Sequence, residues 1–226
     1  MKISVVMPVF NEMQTMEEIL EKVRAVDLDK EIIIVDDCST DGTRELLQKM
    51  TLRDNERVFF HEKNMGKGAA LRTGFQQVGG DYVMIQDADL EYDPQDYHRM
   101  LKPVQEGKAR VVYGSRFIGE RRNLFLHHWV GNRFLTLMAN LLFNTTLSDM
   151  ETCYKLIDAK IIKAMKIKSN KFEVEPEMTA KILKQKIRIY EVPISYYGRE
   201  YTEGKKITWR DGISAVLALL KYRIMD

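Results

Sequence analysis

The sequence predicts an α/β fold, a mostly parallel, doubly wound sheet with helices on both faces. Three observations predict it. Apolar runs of strand length alternate with segments whose apolar residues recur at helical spacing. Gly, Pro, Asn and Asp punctuate each change of period. Polar clusters follow directly on the ends of several apolar runs, and in an open α/β sheet the carboxyl ends of the strands line the ligand crevice.

Residues 2–9 form a near-continuous apolar run, as expected of a strand covered on both faces, with Pro8 near its end where a missing N–H costs least. Asn11 is expected to cap a helix carrying Met16, Ile19, Leu20 and Val23 on one stripe. Glu31–Val35 reads as a second strand delivering Asp36 and Asp37, and Cys38–Thr43 as turn and cap chemistry before a helix with Leu46, Leu47 and Met50. Val58–Phe60 is a third, short strand. Gly66-Lys67-Gly68 opens a helix through Phe75, and Tyr82–Ile85 is a buried strand running into Gln86-Asp87-Ala88-Asp89-Leu90-Glu91. A helix near 95–104, a strand from Ala109 to Tyr113 ending in Gly114-Ser115-Arg116, a helix over 174–186 and a strand over Ile187–Ile194 complete the pattern. Residues 198–206 are glycine-punctuated and highly charged, as in a loop. The last helix carries Ile213, Val216, Leu217 and Leu220 at helical spacing. Strands joined through single helices imply right-handed crossovers.

With 226 residues, 45% apolar and 30% charged, the chain has enough length for one substantial domain spanning 1–226. A formal charge of +2 gives no support to nucleic-acid binding. Cys38 and Cys153 lie far apart without Cys-x-x-Cys spacing, so reduced thiols in a cytoplasmic protein are expected. The N-terminal run lacks a signal-peptide pattern, and no stretch offers ~20 uncharged apolar residues for a membrane span. Residues 124–143 are strongly apolar, with Arg121, Arg122 and Arg133 beside or within them. Two readings stand for this segment and for the last helix: packing on the core, or lying at a membrane surface.

Asp87, Asp89 and Glu91 alternate, so they share one face if the backbone stays extended. Two carboxylates ~4 Å apart repel by about 1 kcal/mol in water and by more in a drier cleft. A solvated acidic loop is the bland reading; the sharper one is an oxygen-ligated Mg²⁺ or Mn²⁺ bridging a diphosphate. Asp36 or Asp37 can accept from nucleobase N–H groups or ribose hydroxyls, and Gly66-Lys67-Gly68 at a helix start is an anion-site signal without P-loop spacing.

Pro8-Val9-Phe10-Asn11-Glu12, Val35–Thr43, Asn64–Gly68, Gln86–Glu91 and Gly114-Ser115-Arg116 occur in that order. Together they resemble the inverting family 2 glycosyltransferases of GT-A fold, above all the dolichol-phosphate mannose synthases and their bacterial polyprenyl-phosphate relatives. The resemblance implies a nucleotide sugar (GDP- or UDP-hexose) as donor, a divalent metal, and a polyprenyl phosphate as acceptor. It divides the chain into a nucleotide-sugar and metal half, 1–117, and an acceptor half, 118–226. By position, Pro8, Val9, Asn11, Glu12, Asp36, Asp37, Lys67, Asp87 and Ala88 would bind the nucleotide sugar, and Asp87, Asp89 and Glu91 the metal. Arg116 would hold the acceptor phosphate. Relatives place a second arginine and a hydroxyl four apart on the next helix, whereas Arg133 and Thr136 are three apart here. Asp149–Lys155 matches an Asp-x-x-Ser-Gly-Phe-Arg-like stretch loosely, and Arg199 and Lys205 fall in the loop that closes over the phosphates in relatives. The family's chemistry also implies a place at the cytoplasmic face of a membrane, reached directly or through a small membrane-protein partner.

The chemistry fits such an acceptor independently. A phosphate monoester, with a second pKa near ~6, is already dianionic at neutral pH and needs no general base. It needs cations, which Arg116, Arg133, Arg199 and Lys205 supply. A saccharide-hydroxyl acceptor would need a base, and Asp149 or Glu151 are the candidates. A phospho-receiver domain would use Asp36 or Asp37 but leaves Asp87, Asp89 and Glu91 without a role. A catalytically silent nucleotide-binding subunit would not require the metal acids at all.

Overall fold

The run Ile3–Val9 forms β1, and its alternating residues feed two separate cores, Val5 and Met7 on one face and Val6 on the other. The computed structural model describes residues 1–123, 125–199 and 209–225. Along the chain follow α1 (Met16–Ala25), β2 (Lys30–Asp36), α2 (Thr43–Lys49), β3 (Glu56–Phe60), α3 (Lys67–Phe75) and β4 (Tyr82–Ile85). Next come α4 (Tyr97–Gln105), β5 (Val111–Ser115), α5 (Leu126–Phe143), β6 (Lys155–Asp158), α6 (Ala159–Ala164), α7 (Val174–Lys184), β7 (Tyr190–Pro193) and α8 (Trp209–Ile224).

The sheet runs β3-β2-β1-β4-β6-β5-β7. All strand pairs are parallel except those of β6, which is antiparallel to both β4 and β5. The predicted fold class is thus observed. Met16, Ile19, Leu20 and Val23 of α1 and Met100 and Leu101 of α4 pack on one face. Ala70, Leu71 and Phe75 of α3 and Met178 and Ile182 of α7 pack on the other. Each fully buried aliphatic side chain contributes about 1.5–3 kcal/mol. Close approach on the second face depends on Gly74, where a Cβ would lie 2.4 Å from Val6 Cγ1.

Three local expectations are corrected. Lys155–Asp158 was not expected as a strand; it is only four residues long, and a lysine at one end masks the apolar pair between. Asn11 does not cap α1: the helix begins at Met16 after Thr15, and Asn11 takes φ +54° instead. The strand expected over Ile187–Ile194 is confined to Tyr190–Pro193, because Lys186 at φ +58° turns the chain after α7 and Ile187 and Ile189 pack as coil.

The apolar segment forms α5, which packs not on the sheet but on the helices beside it. Leu135 and Ala139 meet Leu147, Met150, and Ala215 and Leu219 of α8. The outer sides stay apolar and exposed: Leu126 (75%) and Leu141 (73%) on α5, Leu217 (60%) and Ile224 (83%) on α8. Among the described residues no helix is long and apolar enough to cross a membrane.

Candidate active site

The parallel strands β1, β2, β4 and β5 all deliver their carboxyl ends to one edge. At three of these tips the chain reverses through a non-glycine residue in the left-handed region: Asn11 after β1, Cys38 after β2 and Leu90 after β4. Such residues are uncommon and cost free energy, and they cluster where a rim of side chains must be aimed. The β1–β4 ladder ends at Val6, after which Gln86 N–H reaches Val6 O and the two strands part. Because β6 runs the opposite way, the residues just before it, 149–154, arrive at this same edge.

The acids of the β1 and β4 tips converge on one cation. Arg199 Nη1 and Nη2 donate to Glu12 Oε2 and Oε1 at 3.0 and 3.2 Å, and Nη2 also to Asp89 Oδ2 at 3.0 Å. Its backbone N–H donates to Glu91 Oε1 at 2.7 Å, and Tyr196 OH donates to Glu91 Oε2 at 2.9 Å. Thr15 OH bridges Glu12 Oε2 (3.1 Å) and Ala88 O (2.7 Å), tying β1 to β4 across the cleft. Burial, then Glu91 and Asp87, push the Asp89 carboxyl up to about 8, against the pull of Arg199.

Asp87 belongs to a different cluster. Lys67 Nζ lies 2.8 Å from Asp87 Oδ1, 2.8 Å from Cys153 Sγ and 3.4 Å from Glu175 Oε1. Burial is the largest influence and would raise the Asp87 carboxyl, but Lys67, the Cys153 contact and Arg199 together outweigh it and hold the group below its usual range. Lys67 therefore faces Asp87 rather than standing free at the start of α3. Asp36 is fully buried, accepting from Arg44 Nε at 2.7 Å and Ser39 N–H at 3.2 Å. Asp37 accepts from Gly66 N–H (2.6 Å) and Met65 N–H (2.9 Å) and contacts His61 Nδ1 (2.7 Å), so it holds the loop before α3. Asn11 accepts from Thr40 N–H at 2.8 Å, Pro8 sits opposite Val35, and Val9 is buried.

Arg116, at the tip of β5, is a buried fork on Asp149, with Nε and Nη2 at 2.7 and 2.8 Å from its two oxygens. Its guanidinium lies 5.2 Å over the Tyr196 ring. Glu191 accepts from Ser148 N–H (2.9 Å) and Asp149 N–H (3.2 Å) and so fixes the residue that fixes Arg116. Arg133 is exposed, 5.8 Å over both Phe117 and Trp129, whereas Thr136 is buried and accepts from Met150 N–H at 3.1 Å. Lys205 lies outside the described residues.

Several participants have no motif of their own. Glu175 of α7 pairs with Lys155, which also lies 4.7 Å over Tyr113, and one Glu175 oxygen has no hydrogen-bond partner. Glu151 likewise buries an unpartnered Oε1, and burial followed by Glu175 pushes its carboxyl up to about 7. The only sequence signal for Glu175 is an acid inside a helix that turns out buried from Val174 to Ile182.

Among the described residues no three His, Cys, Asp or Glu side chains converge closely enough to hold a metal ion. The chemistry of the acids nonetheless fits a hard divalent ion, being oxygen-only, and Glu12, Asp89 and Glu91 already surround one positive group.

Comparison with known proteins is consistent with this geometry. Residues 4–165 match the family model described as "Glycosyl transferase family 2". The chain is 31% identical over 204 residues to a low-salt glycan biosynthesis hexosyltransferase of Haloferax volcanii, covering 88% of this chain and 48% of that protein. It is 28% identical to an undecaprenyl-phosphate 4-deoxy-4-formamido-L-arabinose transferase of Edwardsiella ictaluri (90% and 62% covered). It is 31% identical to a dolichol-phosphate mannosyltransferase of Pyrococcus furiosus (52% and 34% covered). The chain thus spans from about a third to under two thirds of these relatives' length. Among solved structures, glucosyl-3-phosphoglycerate synthase from Mycobacterium tuberculosis, in complex with Mn²⁺, UDP and glucosyl-3-phosphoglycerate, superposes with a TM-score of 0.76 at 20% identity. That match covers 100% of this chain and 81% of the other, and it shows a shared fold.

Proposed function

Since the chain belongs to glycosyl transferase family 2, we propose that it transfers a hexose from GDP- or UDP-hexose to a polyprenyl phosphate, with inversion at the anomeric carbon. The observation that carries this reading is the meeting, at one sheet edge, of an acidic rim (Glu12, Asp89, Glu91) with the arginines Arg116 and Arg133. Two of the relatives are named for undecaprenyl- and dolichol-phosphate chemistry, and the solved neighbours hold Mn²⁺ or Mg²⁺ with UDP.

In this reading Asp87, Asp89 and Glu91 hold Mg²⁺ or Mn²⁺, which when bound neutralises the diphosphate of the leaving nucleotide. The rim from Pro8 to Glu12, with Ala88 opposite, receives the nucleoside. Asp36 and Asp37 hold the loops behind it. Arg199 and Lys205 attend the diphosphate. Arg133, exposed on α5, draws the acceptor phosphate in, and Arg116, pre-aimed by Asp149, holds it in line for attack. The acceptor is a dianion, so no residue need take its proton. The apolar outer faces of α5 and α8, flanked by Arg121 and Arg122, rest on the cytoplasmic face of a membrane that supplies the lipid, directly or beside a small membrane protein.

One observation favours a second reading, transfer to a saccharide hydroxyl. Asp149 is locked on Arg116, but Glu151 has an unpartnered oxygen and a carboxyl pushed up to about 7, suited to a general base. Incubation with labelled GDP- and UDP-hexoses, Mn²⁺, and either polyprenyl phosphate or oligosaccharide separates the two. Label in the organic phase, lost on adding a chelator, is expected; turnover only on the oligosaccharide would reject the lipid acceptor.

A further inference from the structure

Arg199 lies among Glu12, Asp89 and Glu91, of which the proposed function gives Asp89 and Glu91 to a metal, and the fit is incomplete. Its guanidinium bonds Glu12 and Asp89 at 3.0–3.2 Å, but its Nε is buried with no hydrogen-bond partner, 3.8 Å from Glu91 Oε1. The segment bearing it is strapped across the site. Tyr197 N–H donates to Glu91 O at 2.8 Å, Tyr196 N–H donates to Glu120 O at 3.0 Å, and Tyr196 forms an isolated antiparallel bridge with Tyr92. Asp87 is held apart from this group by Lys67.

Glu12, Asp89 and Glu91, gathered round one guanidinium at a largely buried rim, need its counter-charge to stay there. A planar five-donor fork satisfies two of them, yet it spaces them to its own width rather than to the 2.0–2.6 Å sphere of a divalent ion. That explains why the described acids do not converge into a metal site while Arg199 is among them. We infer that Arg199 is the resident counter-ion of the Glu12, Asp89 and Glu91 cluster, that Glu12 belongs to this cation site, and that a divalent ion enters only as the guanidinium leaves. Release then frees Arg199 for the donor diphosphate. It also slackens the strap whose Tyr196 ring lies beneath Arg116, so donor loading reaches the acceptor side through one residue. The inference rests on the metal-dependent reading above and adds to it an internal competitor.

Mn²⁺ alone is the probe, with free Mn²⁺ counted by electron paramagnetic resonance in the full chain. Arg199→Gln should bind Mn²⁺ about tenfold or more tightly than the unaltered protein, the worth of a charge-assisted pair no longer to be broken. Arg199→Lys should fall between. Adding UDP or GDP should narrow the difference, since the phosphates then hold the released arginine. Thermal melting gives a second readout: Arg199→Gln should melt lower without metal and gain more from Mn²⁺ than the unaltered chain. If Arg199→Gln does not fold without metal, Arg199→Lys decides, tighter Mn²⁺ binding supporting the inference and equal binding overturning it. Equal or weaker binding by Arg199→Gln, with the unaltered chain still taking up Mn²⁺, overturns the competitor and leaves the family reading intact. Failure of every form to bind Mn²⁺ even with UDP or GDP removes both.

Discussion

At the scale of single residues, the two arginines proposed to meet the acceptor make opposite predictions. Arg133 is exposed and stacked on rings, so Arg133→Ala should leave stability within about 0.5 kcal/mol while raising the lipid-phosphate KM roughly tenfold and the donor KM little. Arg116→Ala should instead cost about 3–5 kcal/mol in urea unfolding, because it strands the buried Asp149. Its kinetics therefore need a stability control. Glu151 gives a pH test. Its carboxyl rises from 4.5 to about 7 on folding, so between those values the folded chain binds the extra proton. Stability is then fully present below pH 4.5 and falls as pH rises through 7. Glu151→Gln should remove that slope, gaining up to about 3 kcal/mol at pH 8 and nothing near pH 4. The sequence showed that Asp89, Glu91 and Arg116 stand at strand tips. It did not show what they bind, because partners such as Glu12 and Arg199 are brought together only by the folded chain.

At the scale of elements, the strands with long apolar runs were legible and β6 was not. β1 and β2 announce themselves by unbroken apolar stretches. β6 is recognisable only from the neighbours that flank it, since Lys155 is buried there through Glu175, a residue of α7. For α5 and α8, amphipathic spacing could not choose between core and surface. The folded helices bury Ala139, Ala215 and Leu219 against one another and leave the opposite side apolar and exposed. That outer side has a direct test. Ile213→Glu with Leu217→Glu, both on exposed positions, should leave the unfolding midpoint nearly unchanged. Partition onto anionic vesicles in a flotation assay should drop about tenfold or more. Unchanged partition would assign the face another role.

At the scale of the whole molecule, the site draws on β1, β4, β5, α7 and the segment after β7, so a ligand bridging them stabilises the entire fold. Mn²⁺ with the correct nucleoside diphosphate at a hundred times its Kd should add about 2.7 kcal/mol. That is roughly 5–10 °C in Tm for a chain of this size. A panel of UDP and GDP read by thermal shift identifies the base, and no shift with either would count against a nucleotide donor. The reversed strand also governs how the protein is made. β5 leaves the ribosome with neither lateral neighbour yet synthesised, and it must wait for the chain to run from Ser115 to Lys155 and then to Tyr190. The trio β3-β2-β1 pairs over much shorter spans, Ile3 with Lys30 and Ile32 with Glu56, and β4 joins β1 only at Tyr82. Local pairings close first and distant ones late, so pulse-labelled amides of Val5 and Ile33 should become protected before those of Val112. The nascent chain therefore pairs β3, β2 and β1 while the edge that carries Arg116 is still unformed.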